Sequence, residues 1–514
     1  MTICLLFKVR RLIAIGLCAV FLLGGCGGQS TITSMGAPDI PPDIESALHY
    51  IKASNTGNGD NFGHSIAMSA DGTTLAIGAP RESSDAVGAN KIQVNDDRPV
   101  SGAVYVFVRS GKTWVQQAYI KASNPDPYDL FGTSVALSAN GHTLAVGATD
   151  EDSSVGSDPY DNNAFEAGAV YVFARDGVQW SQQDYLKAEL PRENNVFGSS
   201  IALSGDGHLL AVGSPQEDSG GAPPNADLPN SGAVHIFKRT GVSWSQTALL
   251  KASNASQDDG FGSSVSLSTS GDTLAVGADF RSGGSDPGDN LPNAAGAAYV
   301  FKRTNDNWSE VAYLKASNPG EFYNFGYRVA VSADGLTLAV AAIGEASSAT
   351  TINDPNGELN NDIPSAGAVY VFNLSAGVWG QQFYIKASNA GHSDLFGISL
   401  AISSDGSTMM VGARSESSKA VGINGEQGDN SATLAGAVYV FTRSTDTWSQ
   451  RAYVKSSNTD AFDRFGSAVA MSGDGRTFAA GAPGEASKAT GIDGDQFDNA
   501  MPQAGAVYVL NTLN

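Results

Sequence analysis

Short apolar segments recur along the chain in a fixed order, separated by polar turns and by longer polar loops. One repeat reads "FGTSVALS", then "TLAVGA", then "GAVYVF", and finally a segment opened by tryptophan, "WSQQDYLKA". Such segments, rich in Val, Tyr, Phe and Ala, are typical of β-strands. The second and third are apolar on both faces, as in a covered sheet, whereas the fourth alternates apolar and polar residues, as at an outer edge. Each repeat therefore predicts a four-stranded antiparallel sheet.

The dipeptide Phe-Gly marks seven such repeats. It occurs with similar flanks at Phe62, Phe131, Phe197, Phe261, Phe325, Phe396 and Phe465. Between the first two strands most repeats carry a dipeptide such as Asp71-Gly72, in which glycine supplies the positive φ of a tight hairpin. Sevenfold repetition of a four-stranded unit predicts an all-β fold, a seven-bladed β-propeller, because ring closure protects the sheet edges.

The two ends of the chain carry complementary parts of one repeat. Six tryptophans open fourth strands, whereas seven repeats require seven such strands. The tryptophans are Trp114, Trp180, Trp244, Trp308, Trp379 and Trp448. The chain ends just after the third strand of repeat seven, and residues 45–55, "ESALHYIKASN", match the second half of a fourth strand. We predict that this N-terminal strand pairs with residues 507–510 and closes the ring.

The Phe-Gly, Gly-Ala-Pro and "GAVYVF" segments together resemble the FG-GAP repeats of the integrin α-subunit N-terminal propeller and of its bacterial relatives. The resemblance covers residues 45–511. Gly-Ala-Pro is complete at residues 78–80 and 481–483, and it has drifted to Gly-Ser-Pro at residues 213–215 and to Ala-Ala-Ile at residues 341–343. The resemblance implies the propeller fold, whereas propellers as a class host many functions.

The N-terminus carries the features of a bacterial lipoprotein. A basic start precedes an apolar run over residues 12–23, which suits a signal-peptide core and is short for a membrane span. Leu-Gly-Gly at residues 23–25 precedes Cys26 and resembles a lipobox, in which the cysteine receives lipid. Gly27 follows where Asp would mark inner-membrane retention, so the resemblance implies lipid anchoring in the outer membrane of a bacterial cell envelope.

These features divide the chain into three parts. We predict a signal peptide over residues 1–25, a lipidated flexible tether over residues 26–44 and the propeller over residues 45–514. The cysteines Cys4, Cys18 and Cys26 all fall before the propeller, which therefore contains neither a disulfide nor a thiolate metal site. A formal net charge of −22 disfavours nucleic acid as a partner and favours cations and basic partners. We expect a monomer.

The lengths of the connections distinguish two faces of the predicted propeller. The connections between strands two and three are long, roughly 18 to 25 residues, whereas the other hairpins are tight turns. Aspartates precede the Phe-Gly pairs on the same face, at Asp60, Asp129, Asp259, Asp394 and Asp463. In integrins this is the ligand-binding face, so the resemblance implies an acidic binding face here for a protein or glycan ligand.

Several long loops share a short acidic pattern, an acid followed three residues later by Asp-Asn. Calcium prefers six to eight oxygen ligands, and such loops supply several of them. The alternative is that these residues simply form solvated turns. The candidate calcium ligands are Asp158, Asp161, Asp286, Asp289, Glu426, Asp429, Asn430, Asp493, Asp495, Asp498 and Asn499. The integrin calcium loop, Asp-x-Asp-x-Asp-Gly between strands one and two, has no counterpart here, so its ligands do not transfer.

No catalytic motif stands out in the sequence. The six histidines fall at non-equivalent positions, and there is neither a Gly-x-Ser-x-Gly elbow nor a phosphate-binding glycine loop. A carboxylate pair for glycoside cleavage stays open, because such residues meet only in the folded protein. We predict a surface-anchored binding or adhesion module and no enzyme. The alternatives are an extracellular polysaccharide-acting enzyme and a purely structural envelope protein.

Overall fold

The computed structural model describes residues 48–511, apart from residues 91–92, 94, 155–157, 219–227, 284–291 and 355–356. These residues form 28 β-strands arranged in seven four-stranded antiparallel sheets. The described residues contain no helix that is long and apolar enough to cross a membrane. The seven-bladed β-propeller is confirmed. The predictions for the signal peptide, Cys26 and the tether lie outside the described residues.

The first strand of each blade is innermost and the fourth is outermost. Blade 1 contains β2 (Ser65–Met68), β3 (Thr74–Ala79), β4 (Ala103–Ser110) and β5 (Thr113–Ile120); blade 2 contains β6 (Ser134–Leu137), β7 (Thr143–Ala148), β8 (Ala169–Asp176) and β9 (Gln179–Leu186). Blade 3 contains β10 (Ser200–Leu203), β11 (Leu209–Ser214), β12 (Ala233–Thr240) and β13 (Ser243–Leu250); blade 4 contains β14 (Ser264–Leu267), β15 (Thr273–Ala278), β16 (Ala297–Thr304) and β17 (Asn307–Leu314). Blade 5 contains β18 (Phe325–Val331), β19 (Thr337–Ala342), β20 (Ala368–Ser375) and β21 (Val378–Ile385); blade 6 contains β22 (Ser399–Ile402), β23 (Thr408–Ala413), β24 (Ala437–Ser444) and β25 (Thr447–Val454). Blade 7 contains β26 (Ala468–Met471), β27 (Thr477–Ala482), β28 (Ala506–Asn511) and β1 (Leu48–Ile51).

The hydrophobic core lies between adjacent blades rather than within one unit. One cluster packs Val104 and Val106 of blade 1 against Leu144, Val146 and Tyr171 of blade 2. The second strand of most blades is buried along its full length, as its apolar sequence predicts. Each sheet therefore needs a neighbour on both sides, and a ring supplies both.

Paired glycines at the junction between blades explain why Phe-Gly and Gly-Ala-Pro recur together. A Cβ atom on Gly78 of blade 1 would lie 2.1 Å from the carbonyl oxygen of Gly132, the glycine of the next Phe-Gly pair. Gly132 has a φ of +96°, which favours glycine. Blade 5 has Ala341 at the first position, and a Cβ on its partner Gly397 would lie 2.8 Å from the Ala341 methyl group. At that junction only one of the two positions accommodates a side chain.

A closed ring of backbone hydrogen bonds joins all seven blades at the turns between their first and second strands. In each turn one residue donates its N–H to the carbonyl oxygen of the equivalent residue in the next blade, over 2.8–3.1 Å. The residues are Ala70, Ala139, Gly205, Thr269, Ala333, Ser404 and Gly473, and Gly473 donates to Ala70. The ring ties each blade to both of its neighbours.

The N-terminal strand β1 completes blade 7 by pairing with β28, as predicted. Leu48 lies opposite Leu510, and Ile51 lies opposite Val507. Just after β1, the Lys52 ammonium lies 2.8 Å from the Glu485 carboxylate, and both side chains are buried. The equivalent pairs in other blades are Lys121–Glu82, Lys187–Glu151, Lys251–Glu217, Lys386–Glu345 and Lys455–Glu416. The closing strand thus contributes both backbone pairing and one member of a repeated buried ion pair.

Removing residues 45–54 deletes β1 and Lys52 together. We expect a protein that begins at residue 55 to melt far below one that begins at residue 45, because β28 loses its partner and Glu485 is left buried without its cation. The second effect alone is worth about 3–5 kcal/mol. Calorimetry measures both unfolding transitions, and a synthetic peptide of residues 45–54 should restore part of the lost stability. Equal melting temperatures for the two proteins would contradict ring closure by β1.

Candidate binding face

The connections divide the propeller surface into a loop face and a turn face. The loop face comprises the connections between second and third strands together with the links between blades. The turn face comprises the remaining hairpin turns. The long connections contain 18 to 25 residues, as predicted. They span residues 80–102, 149–168, 215–232, 279–296, 343–367, 414–436 and 483–505.

Four of the long loops fold back along the outer strand of their own blade through one left-handed residue. This residue is Asn90, Asn353, Asn424 or Asp493, with φ between 52° and 55°. In blade 7 the N–H of Asp493 donates to the carbonyl oxygen of Tyr50, and the N–H of Tyr50 donates to the Asp493 carboxylate at 3.0 Å. The three asparagines make the same two bonds. Asp493 therefore lies where the loop attaches to the sheet.

The aspartates that precede the Phe-Gly pairs lie on the loop face, but their carboxylates are buried. Each accepts a hydrogen bond from the backbone N–H three residues earlier, over 2.7–2.9 Å, as Asp129 does from Asp126. Burial raises the pKa of Asp60, Asp394 and Asp463 to about 7, and that of Asp129 to about 8. These groups build the links, and they add less negative charge to the face at neutral pH than their number indicates.

The acidic pattern of the long loops forms local turns in the described residues. Five of its carboxylates accept the backbone N–H two residues further on, over 2.9–3.1 Å. These acceptors are Asp158, Glu426, Asp429, Asp495 and Asp498. Such bonds are typical of turn-forming acidic side chains. The pattern thus has a structural role in all three loops where the structure describes it.

The remaining members of the pattern also have partners within the protein or face solvent. Asp161 accepts hydrogen bonds from Ser154 and Asn163. Asn499 donates to Asp460 of the adjacent link at 2.8 Å, which joins loop and link. Asn430 is exposed. These residues therefore do not point at one common centre.

No three His, Cys, Asp or Glu side chains of the described residues lie together as a metal ion requires. Asp286 and Asp289 fall outside these residues. In blade 7 the Lys488 ammonium also lies 2.7 Å from the Asp498 carboxylate. Calcium binding stays a prediction, and in the described loops it requires the carboxylates to lie closer together than they do here.

Aromatic side chains are concentrated on the loop face. Seven Tyr and Phe side chains of the described residues are exposed, and all of them lie in the long loops or in the links. They are Tyr128, Tyr160, Phe165, Phe280, Phe322, Phe462 and Phe497. The exposed apolar residues of the turn face and outer strands, such as Val115 and Val178, are aliphatic. The fold itself does not require surface aromatics, because the opposite face is built without them.

Three of these aromatics also have a left-handed backbone. Tyr128, Phe322 and Phe462 have φ of 75°, 59° and 72°, each three residues before the phenylalanine of a Phe-Gly pair. The equivalent residues of the other links are Gly59, Asn194, Asp258 and Ser393. Positive φ is uncommon for bulky residues and costs on the order of 1–3 kcal/mol. These three side chains therefore carry a conformational cost and a solvation cost that folding does not explain.

The central channel opens on the loop face through a cavity of about 270 Å³. Residues of the first strands line it, and its titratable side chains in the described structure are Arg328 and His64. Glycoside cleavage uses two carboxylates in most enzyme families. The described residues that line this cavity include no Asp or Glu.

Calcium binding by the loop of blade 7 is testable with the protein that begins at residue 45. If the prediction holds, calorimetric titration of chelator-stripped protein shows calcium binding in the micromolar-to-millimolar range, with magnesium weaker because it demands stricter geometry. The variant D495N/D498N should lose part of the heat while keeping the turns. D176N, an acid on the turn face, is the control. No heat and no change in melting temperature up to several millimolar calcium would leave these residues as turn formers.

The sequence model of the FG-GAP repeat family matches residues 49–107, 114–173, 180–237, 244–301 and 379–441. Each matched segment begins in the fourth strand of one blade and ends in the third strand of the next. No curated protein matches the chain. A solved chain of Kuenenia stuttgartiensis hydrazine synthase matches with a TM-score of 0.46 and 13% sequence identity. The match covers 84% of this chain and 94% of that chain. The family segments span more than half of the 514 residues, and the chain belongs to the FG-GAP repeat family.

Proposed function

We propose that the protein is a binding or adhesion module of the bacterial cell surface, which engages a protein or glycan ligand through its loop face. The observation that carries this proposal is that all seven exposed Tyr and Phe side chains of the described residues lie on that face. Soluble proteins rarely concentrate exposed apolar groups without a partner to cover them.

The chemistry of the face suits a ligand with both apolar and polar groups. Tyr128, Phe322 and Phe462 are exposed on three different links, and the exposed carboxylates of Asp158, Glu426 and Asp495 accept hydrogen bonds. Aromatic side chains provide contact area at small conformational cost, while carboxylates bind hydroxyl and ammonium donors. Sugars and basic protein segments offer such groups.

The lipid anchor belongs to the same proposal. Cys26 after a lipobox-like sequence would hold the protein at the outer membrane, and the acidic propeller would remain in the aqueous phase. A membrane-anchored module binds partners at the cell surface without needing a catalytic site of its own.

Replacing the three left-handed aromatics tests the face directly. Tyr128→Ser, Phe322→Ser and Phe462→Ser install the residue that Ser393 already places at this position in another link. We expect the triple variant to lose at least about tenfold in affinity for intact cells of the producing bacterium. Its melting temperature should stay the same or rise, because the strain is reduced. Labelled protein that begins at residue 45 serves as the probe, so the anchor does not contribute.

A matched triple variant on the opposite side controls for lost apolar surface. Val115→Ser, Val178→Ser and Val311→Ser remove three exposed aliphatic side chains from outer strands and the turn face, and this protein should bind like the parent. Treating the cells with periodate or with protease separates glycan from protein ligands. Undiminished binding by the aromatic variant would refute the loop-face proposal, and no binding by the parent would favour a purely structural role.

The anchor has a separate test. Cys26→Ala should abolish incorporation of labelled fatty acid and move the protein from the membrane to the soluble fraction, because the lipid supplies the membrane affinity. Full membrane association of this variant without lipid label would show that something other than Cys26 holds the protein there.

A further inference from the structure

One arginine breaks the repeat pattern at the loop-face end of the central channel, and a second arginine lies near it. Arg328 of blade 5 stands where five other blades have serine, namely Ser65, Ser134, Ser200, Ser264 and Ser399. Arg414 of blade 6 stands where a complete Gly-Ala-Pro segment has proline. The serine has a structural role, since Ser65 donates to the carbonyl oxygen of Gly132 in the next blade at 2.7 Å. Within the described residues, Arg328 does not replace that bond to the next blade.

The guanidinium groups at this mouth have spare hydrogen-bonding capacity. Nη1 of Arg328 donates to the Tyr327 carbonyl oxygen at 2.9 Å, and the group stacks 4.7 Å from the centre of the Tyr327 ring. Within the described residues, Arg328, Arg414 and Arg464 form no ion pair with a carboxylate. A guanidinium has five N–H donors, so most donors of Arg328 remain available to a ligand.

The positive charges of Arg328, Arg414 and Arg464 act on one another. Burial lowers the pKa of Arg414, and the charges of Arg464 and Arg328 lower it further. The ring of His64 is open to the channel, yet the surrounding protein lowers its pKa to about 4, and Arg328 and Arg414 contribute. Such influence requires proximity, so Arg414 lies near His64 and Arg328, which both line the cavity.

The carboxylate of Asp279 lies close enough to Arg328 for the two charges to interact. Asp279 of blade 4 is buried, and burial raises its pKa to about 6 while Arg328 opposes that rise. A single aspartate offsets at most one of three arginine charges. The three arginines therefore bring more positive charge to this region than Asp279 offsets, in a protein whose formal net charge is −22.

We propose that the mouth of the central channel is an oxyanion-binding site, in which Arg328 holds a carboxylate, sulfate or phosphate group and the nearby Arg414 adds positive charge. Guanidinium groups bind planar or tetrahedral oxyanions through paired N–H donors, and partial exclusion of water strengthens such bonds. The cavity of about 270 Å³ admits a free ion or one terminal group of a larger ligand. This inference goes beyond the proposed loop-face function and does not depend on the exposed aromatics.

Calorimetric titration of the protein that begins at residue 45 tests this site, with sodium sulfate, sodium phosphate and sodium glucuronate as probes at constant ionic strength. We expect at least one of them to bind with a dissociation constant in the low millimolar range or tighter. Arg328→Ser restores the serine of the other blades, and Arg414→Pro restores the family proline. Each variant should weaken binding at least about tenfold. Inorganic ions binding better would indicate a free ion, and glucuronate binding better would indicate an acidic sugar.

Arg239→Ser is the charge-matched control, because Arg239 lies on the turn face and donates to the Gly241 carbonyl oxygen. It should bind like the parent. As a second measurement, nuclear magnetic resonance should show the pKa of His64 rising in Arg328→Ser and on addition of the bound anion. The proposal is overturned if no probe gives heat or a higher melting temperature up to about 50 mM. It is equally overturned if folded Arg328→Ser binds like the parent.

Discussion

The pairing of β1 with β28 is the constraint on which the rest of the propeller depends. Every blade buries its apolar strands against two neighbours, so an open array would expose two unmatched surfaces. The cluster between blades 7 and 1 contains Ile51, Val507, Phe62 and Tyr105, which come from both ends of the chain. The seven-membered ring of backbone hydrogen bonds at the inner turns is complete only when blade 7 reaches blade 1. Closure therefore acts on strand edges, core and inner turns at the same time.

The sequence predicted the fold because its strand signals are local and occur seven times. The fourth strand shows the limit of that reasoning. Lysines such as Lys121 fit the polar alternation of an outer edge, yet they are buried against a glutamate from the long loop, which closes over that edge. The available signal was one Lys and one Glu in six of the seven repeats. Blade 4 shows that the pairing matters, because Arg281 replaces the glutamate there and binds Asp259 at 3.0 Å instead.

The candidate sites were less accessible to prediction, for two physical reasons. Closely spaced Asp and Asn residues serve equally well as calcium ligands and as acceptors for backbone N–H groups, and Asp495 and Asp498 are acceptors here. The aromatic residues of the links and the channel arginines were hard to predict for a different reason. They depart from the repeat consensus, because the aromatics occur in three of the seven links and each arginine occurs in one blade. A consensus of seven repeats therefore conceals them. Comparison of the blades offered one signal in the sequence. Tyr128 stands where the equivalent link of another blade has Gly59.

The direction of β1 decides on which face the described chain enters the propeller. β28 runs from the loop face to the turn face, and Leu48 pairs with Leu510 at the turn-face end. The described chain therefore enters blade 7 at the turn face, beside the short hairpins and aliphatic side chains. The aromatic rings and the mouth of the channel lie on the opposite face. The strand that closes the ring thus enters the propeller without crossing the candidate binding face.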